Sequence, residues 1–180
     1  MKLTAKQIYK LFIHRKDVFS EQQGSGGYFP TRRPITLTDI EEHLNGKRTL
    51  GAYALDTDNT VKWACIDLDD KDNPEKLRGE AEIVYNLFKD FPRLLEWSGR
   101  KGFHIWIFFN PSVTADWAQK LVRARLGRPM LGLNRFEVFP KQTELNEARK
   151  YGNLVKLPCG LHRKSRKYSK ILKADLEGLI

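Results

Sequence analysis

The 180-residue chain has little cysteine and histidine. Only Cys65 and Cys159 are present, and together with four scattered histidines they form no CxxC pair and no spacing typical of a zinc site. A disulfide scaffold and a fold that depends on zinc are therefore excluded, and the pattern is typical of a reducing compartment. A chain of this length buries enough surface to form an ordinary hydrophobic core without either support.

Long apolar runs are also missing from the sequence. No stretch approaches the roughly 20 consecutive apolar residues that a membrane-spanning helix needs. The N-terminal segment lacks the apolar centre and the small-residue cleavage site of a secretory signal. We therefore expect a cytoplasmic protein that has no membrane partner.

Positive charge, in contrast, is present in excess. Lysine and arginine number 32 against 22 aspartates and glutamates, which gives a formal net charge of +10. From Lys141 to the C-terminus, ten basic residues stand against four acidic ones, whereas eight acidic residues stand against four basic ones between Gly51 and Glu80. A basic protein with an acidic island is expected where a polyanion binds around a cation-holding centre. The alternative is that surface charge is unevenly distributed by chance, which explains the same counts.

Helix signals and strand signals alternate along the chain. N-terminal capping residues predict four helices, which begin after Thr4, Thr38, Asn73 and Thr114. The second helix is marked further by Glu41, which completes a capping box, and by Gly46, which ends it, and the fourth runs to about Leu126.

Runs rich in β-branched and aromatic residues predict the strands: TLGAYALD, TVKWACIDLD, RLLEWS, FHIWIFF, RFEVFP and NLVKLP. The first two runs flank a short Asp/Asn turn and predict a hairpin, while residues 14–34 are rich in Gly, Ser, Pro and charge and predict a loop. The order of elements favours an α+β fold in which helices pack on a sheet.

A pair of aspartates marks the first candidate site. Asp67 and Asp69 alternate with Ile66 and Leu68 on a predicted strand, so both carboxylates leave the same face, about 7 Å apart at Cα. Such a pair can hold a hard divalent cation such as Mg²⁺, although an acidic strand end at the surface explains most similar motifs. A calcium-binding EF-hand loop is excluded, because Asp72 stands where the loop needs glycine.

A glycine-flanked basic loop forms the second candidate. Gly99 and Gly102 enclose Arg100 and Lys101, and the next strand carries His104. Glycines allow a close approach of the backbone, and the cations and the histidine offer donors to an anion, so the pattern favours a phosphate cradle. A basic hairpin loop next to a histidine at the edge of the core is the alternative.

Glu137 is a third candidate, on a short apolar strand between Phe136 and Val138. A lone glutamate on such a strand usually faces solvent. If its strand neighbours that of Asp67, however, Glu137 completes a cluster of three carboxylates that can hold two metal ions.

The segment GNLVKLPCGLHRKSRKYSK supplies many of the C-terminal positive charges. Lys and Arg bind phosphates, and an aromatic residue such as Tyr168 can stack on a base, so the segment suits a nucleic acid or a triphosphate. A solvated basic tail is the alternative. The candidates for nucleic-acid binding are Arg163, Lys164, Arg166 and Lys167.

Taken together and in this order, four motifs resemble the catalytic motifs of the archaeo-eukaryotic primase superfamily: IDLDD, SGRKGFH, FEVFPKQ and GNLVKLPCGLH. Over about residues 10–170 the chain looks most like the compact primase-polymerases of prokaryotes and their mobile elements, including the CRISPR-associated ones. The resemblance implies an RRM-like catalytic sheet, mixed or antiparallel, with packed helices and a smaller N-terminal α/β lobe. It also implies a single catalytic core over residues 1–180, with residues 1–48 in the smaller lobe and residues 49–175 carrying the motifs.

The resemblance implies roles for individual residues as well. Asp67, Asp69 and Glu137 are the expected catalytic ligands of two Mg²⁺ or Mn²⁺ ions, although the family usually has Asp at the third position. The residues expected to bind the nucleotide and its triphosphate are Ser98, Arg100, Lys101, Gly102, His104, Lys156 and His162. No zinc is expected, because the chain lacks ligands for the zinc module that often accompanies primases.

The expected activity is that of a DNA primase-polymerase, which makes primers from NTPs or dNTPs and extends them on single-stranded DNA. Further domains of a longer protein are possible partners. One alternative is a primer-dependent polymerase of the same superfamily, active in end joining or gap filling. The other is a basic nucleic-acid-binding module without catalysis.

Overall fold

The computed structural model of the chain describes residues 1–24, 26–70, 73–127 and 136–180. Within these ranges there are four helices: α1 (Ala5–Phe12), α2 (Leu37–Leu44), α3 (Pro74–Leu87) and α4 (Ala115–Leu126). None of them combines the length and the apolar character that crossing a bilayer requires.

The same ranges contain eleven strands: β1 (Phe19–Gln22), β2 (Tyr28–Thr31), β3 (Leu50–Tyr53), β4 (Thr60–Asp69), β5 (Arg93–Trp97), β6 (Gly102–Thr114), β7 (Phe136–Phe139), β8 (Leu154–Lys156), β9 (Leu161–His162), β10 (Lys167–Tyr168) and β11 (Lys170–Asp175). A five-stranded sheet has the order β11-β5-β6-β4-β7, and a four-stranded sheet has the order β2-β1-β3-β8. Strands β9 and β10 form a separate hairpin. The predicted α+β class, with helices packed on an antiparallel sheet, is confirmed.

The helix caps agree with the sequence at three of the four predicted positions. Thr4, Asn73 and Thr114 are the N-cap residues of α1, α3 and α4. The prediction for α2 was wrong by half a turn, because Thr36 caps this helix and Asp39 completes its capping box. The side chain of Asp39 accepts hydrogen bonds from both the backbone N–H and the hydroxyl of Thr36. Asp39 therefore has the capping role that was predicted for Glu41.

Two predictions about the strands were wrong. Strands β3 and β4 do not form a hairpin, since β3 pairs with β1 and β8 whereas β4 pairs with β6 and β7. Both strands are largely buried and each needs two neighbours, which they find in different sheets. Residues 14–34 are not only a loop, because they contain β1 and β2. Pro30 is tolerated there because β2 is the edge strand of its sheet.

Buried aromatic rings fix the centre of β4 to its neighbours. Trp63 on β4 and Trp106 on β6 meet edge to face with ring centres 4.9 Å apart, and Phe12 of α1 meets Trp106 at 4.8 Å. Trp63 Nε1 also donates a hydrogen bond of 2.8 Å to the carbonyl oxygen of Phe12. Such contacts hold the strand rigidly, and the acidic C-terminal end of β4 therefore has a fixed position in the sheet.

His43 of α2 fixes the chain that follows β8. Its Nδ1 accepts from the backbone N–H of Leu50 at 3.0 Å, and its Nε2 lies 3.1 Å from the carbonyl oxygen of Leu157 and 3.2 Å from that of Pro158. Because carbonyl oxygens only accept, the ring is neutral and carries its proton on Nε2. Gly160 packs against this ring, where an added Cβ would lie within 2.7 Å of three ring atoms.

Acid is expected to destabilise the fold through His43. Burial, with help from the positive charge of Lys156, lowers the pKa of His43 from 6.5 to about 4. Between these values the unfolded chain binds the proton and the folded chain does not, so the free energy of unfolding falls as the pH falls. The loss attributable to His43 is about 3 kcal/mol when complete.

Urea unfolding curves between pH 7.5 and pH 4.5 measure this effect. The variant His43→Gln, which keeps a side-chain amide donor but does not titrate, should show a shallower dependence on pH than the native chain. Equal slopes for the two proteins would contradict the assignment.

Candidate active site

The register of the large sheet brings the candidate residues to one face. Asp67 on β4, which lies between β6 and β7, is opposite His104 on β6 and opposite Glu137 on β7. Directly opposite residues of antiparallel strands project from the same side of a sheet, and so do residues two apart on one strand. Asp67, Asp69, His104 and Glu137 therefore share a face, and the strand of Glu137 is a neighbour of the strand of Asp67.

An open cleft of about 340 Å³ lies over this face, between the two sheets. It gathers eight of the residues that the sequence suggested: Asp67, Asp69, Ser98, Arg100, Lys101, His104, Lys156 and His162. The large sheet and the loop after β5 supply the carboxylates and the basic loop, while β8 of the small sheet supplies Lys156. The cleft thus combines carboxylates with cations on opposing walls.

The remaining candidates lie outside this lining. Glu137 is exposed and forms an ion pair of 2.8 Å with Lys141 at the end of β7. Gly102 pairs with Asp69 at the start of β6. The four cations proposed for nucleic acid belong to the turn of the β9–β10 hairpin and to its second strand, and three of them are exposed: Lys164, Arg166 and Lys167.

The three carboxylates on this face of the sheet repel one another. Burial raises the pKa of Asp67, and the negative charges of Asp69 and Glu137 raise it further, against the opposing charge of His104. Lysines neutralise the two outer carboxylates, since Lys101 Nζ lies 2.5 Å from Asp69 and Lys141 Nζ lies 2.8 Å from Glu137. An acidic centre of this kind, built from carboxylate oxygens, fits hard divalent cations such as Mg²⁺ and Mn²⁺.

The three carboxylates are nonetheless not drawn together as a ligand cluster. In the described ranges, the one group of three His, Cys, Asp or Glu ligand atoms that lie within 4.8 Å of one another is elsewhere, at His14, Asp56 and Asp58. There, Thr60 joins His14 and Asp58 by hydrogen bonds of 2.9 and 2.7 Å. In the cleft, a cation would have to draw the outer carboxylates away from their lysines.

Glu96 lies beneath His104 and was missed in the sequence. It is the cross-strand partner of His104 and is fully buried. Its Oε2 accepts hydrogen bonds from His104 Nδ1 at 3.0 Å and from Trp106 Nε1 at 3.1 Å. The other ring nitrogen of His104 faces Asp67 at 3.6 Å, so the histidine bridges a buried carboxylate and the acidic centre.

The charge of Glu96 decides the protonation of His104. Burial alone would lower the pKa of His104, but the negative charge of Glu96 and the hydrogen bond to it outweigh burial and raise this pKa. Burial likewise acts to raise the pKa of Glu96, yet the charges of Lys156 and His104 bring it down to about 2. The interactions with Glu96 therefore favour the protonated form of His104, in which Nε2–H faces the cleft.

Lys156 also approaches Glu96, from the small sheet. Its Nζ lies 3.8 Å from Glu96 Oε1, too far for a hydrogen bond, and neither atom has another partner within the part of the chain that the structure describes. The ion pair connects the two sheets below the cleft. Lys156 therefore brings a buried, incompletely bonded ammonium group to the wall of the cleft.

The two glycines of the basic loop are required by close packing. A Cβ at Gly102 would lie 2.5 Å from the carbonyl oxygen of Leu68 and would also collide with the carboxylate of Asp69. Gly99 has φ of +94°, and a Cβ there would lie 3.0 Å from the carbonyl oxygen of Lys167. The hydroxyl of Ser165 donates to the carbonyl oxygen of Gly99 at 2.7 Å, so the basic hairpin is fastened to the loop.

Two further cleft residues escaped the sequence analysis because they lie far from the motifs: Gln22 and Tyr28 come from β1 and β2, inside the segment interpreted as a loop. Phe139 and Leu154, which complete the apolar part of the lining, lie within the motifs but were given no role there. A pairing of distant strands brings them together, and no local pattern encodes it.

Comparisons with known proteins agree with this arrangement. A family model described as the Archaeo-Eukaryotic Primase domain of the TOTE conflict system matches residues 4–179. The AEP domain of the cyanophage S-2L primase-polymerase is similar in structure, with a TM-score of 0.57 and 14% sequence identity over 90% of this chain and 83% of that one. The polymerase domain of Mycobacterium tuberculosis ligase D, solved in complex with DNA, has a TM-score of 0.59 and 13% identity over 93% of this chain and 77% of that one. A sequence search of curated proteins gives no match.

Proposed function

The chain belongs to the archaeo-eukaryotic primase superfamily, and from that premise we propose that it is a DNA primase-polymerase. It would catalyse metal-dependent, template-directed nucleotidyl transfer, making primers on single-stranded DNA and extending them. The observation that carries the proposal is the cleft in which Asp67 and Asp69 face the basic loop and His104. Residues 1–48 and 49–175 act in it as one core, because Gln22 and Tyr28 line the same cleft as the motif residues.

Asp67, Asp69 and Glu137 would hold two Mg²⁺ or Mn²⁺ ions. When bound, such ions lower the pKa of the attacking 3′-hydroxyl and neutralise the charge of the leaving pyrophosphate. Asp67 is the central member of the set, since it lies between the other two and is held by the rigid strand β4.

The cations of the cleft would orient the triphosphate. Arg100 and Lys101 project from a loop that two glycines keep close to the end of β4, and Lys156 approaches from the other wall. His104, whose pKa is raised by Glu96, would donate from Nε2 to a phosphate oxygen. Ser98 and His162 also line this end of the cleft, and fixed donors of this kind stabilise the charge that develops during phosphoryl transfer.

We propose DNA as the template, since the ligase D polymerase domain, which is similar in structure, is described in complex with DNA. The exposed hairpin cations Lys164, Arg166 and Lys167, together with Arg163, would neutralise backbone phosphates near the triphosphate end of the cleft. Binding of this type weakens steeply as the salt concentration rises.

The test supplies unprimed single-stranded DNA, labelled nucleotides and Mg²⁺ or Mn²⁺, with the double variant Asp67→Ala/Asp69→Ala as the inactive control. We expect labelled products from the native chain and none from the control. Extension of annealed primers alone would replace primer synthesis by a primer-dependent activity in end joining or gap filling. A chain that binds DNA but incorporates nothing under any condition would be a nucleic-acid-binding module without catalysis.

A further inference from the structure

The β9–β10 hairpin connects the two walls of the cleft at its basic end. Its first strand is bonded to the small sheet, because the hydroxyl of Thr49 donates to the carbonyl oxygen of Leu161 at 2.8 Å. Its turn is bonded to the same side, since Arg163 donates to the carbonyl oxygen of Lys47 at 2.6 Å. Both partners lie between α2 and β3. The other side of the turn lies on the basic loop of the large sheet, between β5 and β6.

The contact between the hairpin and the basic loop is close. Gly99 of the loop has φ of +94°, and a Cβ there would lie 3.1 Å from the Cβ of His162, so a larger residue would push the two segments apart. Ser165, in the hairpin turn, donates its hydroxyl to the carbonyl oxygen of Gly99 at 2.7 Å. The loop that carries Arg100 and Lys101 is thereby attached to the hairpin.

The same serine orients the imidazole of His162. The backbone N–H of Ser165 donates to Nδ1 of His162 at 3.1 Å, and its hydroxyl lies 3.0 Å from the same atom. A ring nitrogen that accepts an N–H carries no proton, so His162 is neutral and has its proton on Nε2. Burial and the positive charges of Lys156 and Arg100 act in the same direction, because they lower the pKa of His162. His162 therefore brings a neutral N–H donor to the lining of the cleft.

Donors of three kinds meet at the basic end of the cleft. They are the ammonium groups of Lys101 and Lys156, the guanidinium of Arg100 and the imidazole of His162. A triphosphate has oxygens on three phosphorus atoms, and it gains from several donors at once only where their spacing matches its own. Ser165 sets part of this spacing, because it contacts both the basic loop and the imidazole.

Resting on the proposed function, we propose that Ser165 is a positioning residue of the triphosphate site. It holds the basic loop and His162 at a fixed spacing, so that the β- and γ-phosphates of a nucleotide contact both at once. The α-phosphate lies at the acidic centre in this arrangement, away from the hairpin. Removing the hydroxyl of Ser165 therefore reduces the affinity for a nucleoside triphosphate but not the affinity for the corresponding monophosphate.

The experiment measures how dATP and dAMP displace a fluorescent dATP analogue from the full chain in the presence of Mn²⁺. Ser165→Ala should weaken dATP binding about two- to tenfold, the effect of losing one hydrogen bond, and leave dAMP binding unchanged. Ser165→Thr keeps a hydroxyl and should retain most of the affinity for dATP. In extension assays, the KM for dATP should rise in Ser165→Ala by the same factor, while the affinity for template stays at the native level.

Two further measurements complete the test. Ser112→Ala removes an exposed hydroxyl near the opposite end of β6 from the basic loop, and this matched control should bind both nucleotides like the native chain. Heteronuclear NMR of the nitrogen-labelled imidazoles at pH 7 should find the proton of His162 on Nε2 in the native chain.

Five results would overturn the role of Ser165. They are an unchanged dATP affinity in Ser165→Ala, equal losses of dATP and dAMP affinity, a loss in Ser165→Thr as large as that in Ser165→Ala, an equal loss in the control, and a proton on Nδ1 of His162. A native chain that binds dATP in the expected way but incorporates no nucleotide would refute the proposed function and leave the role of Ser165 standing. Normal incorporation together with an unchanged Ser165→Ala variant would do the reverse.

Discussion

Replacing Asp67 with Asn is expected to reduce nucleotide incorporation at least about a thousandfold, a loss of about 4 kcal/mol in transition-state stabilisation. The carboxylate is the central acidic group of the cleft, lying opposite both His104 and Glu137. Asparagine keeps the size of the side chain but removes the charge that a divalent cation requires. The loss should appear in kcat with saturating template, because the template does not contact this residue in the proposed arrangement.

The same substitution is expected to raise the stability of the protein at pH 7. Burial, Asp69 and Glu137 raise the pKa of Asp67, so between the unfolded and the folded pKa the folded chain binds the extra proton. Stability therefore falls as the pH rises through this window, and the full cost of ionising Asp67 is present at pH 7. Asparagine does not carry this cost, and urea unfolding at pH 7 should show a higher midpoint for the variant.

The control for the predicted loss of activity is Asp58→Asn. Asp58 belongs to the cluster of His14, Asp56 and Asp58 and precedes the start of β4, whereas Asp67 lies near the end of that strand. Titration with Mn²⁺, followed by its paramagnetic relaxation, measures metal binding separately from incorporation. We expect Asp67→Asn to lose Mn²⁺ affinity and activity, and Asp58→Asn to retain the activity. Loss of activity in Asp58→Asn with an active Asp67→Asn variant would place the functional metal at the second cluster.

Truncating Glu96 to Ala is expected to lower the free energy of unfolding by about 3–5 kcal/mol. The substitution leaves the buried ammonium of Lys156 without a counter-charge, and it removes the acceptor of hydrogen bonds from His104 and Trp106. In a protein of this size, each kcal/mol corresponds to roughly 2–4 °C, so the melting temperature should fall by about 6–20 °C.

Two comparisons test this explanation. Asp116→Ala removes an exposed ion pair with Lys120 on α4 and should cost less than about 1 kcal/mol. The double variant Glu96→Ala/Lys156→Met should be more stable than the sum of the single losses predicts, because it removes both buried charges. A loss for Glu96→Ala no larger than that for Asp116→Ala would show that the pair below the cleft contributes little.

Local sequence patterns were sufficient for much of the site. The alternation of Asp67 and Asp69 with apolar residues correctly placed both carboxylates on one face of β4, since the two-residue period of a strand is a local property. The glycines around Arg100 and Lys101 correctly indicated a tight loop between two strands, and both prove sterically necessary. The catalytic roles of these residues remain predictions that the proposed assays test.

The same local patterns could not predict which distant strands pair with one another. A loop was predicted where β1 and β2 occur, because the glycines between the two strands and Pro30 within β2 are typical of turns. Glu96 was overlooked within the run RLLEWS, although a single carboxylate in an otherwise apolar strand is a signal that its charge has a buried partner. The identity of that partner depends on the register of β5 with β6 and on the approach of β8, which no local pattern contains.

The edges of the two sheets have a consequence for the behaviour of the chain at high concentration. Each sheet ends in strands that offer a poor template to a second chain: β2 contains Pro30, β7 and β8 are four and three residues long, and β11 is interrupted by a bulge between Ile171 and Lys173. Short, proline-bearing or bulged edges discourage the addition of foreign strands. A protein assembled almost entirely from antiparallel ladders is thereby protected against fibrillar self-association, and backbone pairing at these edges is a poor route for recruiting a partner protein.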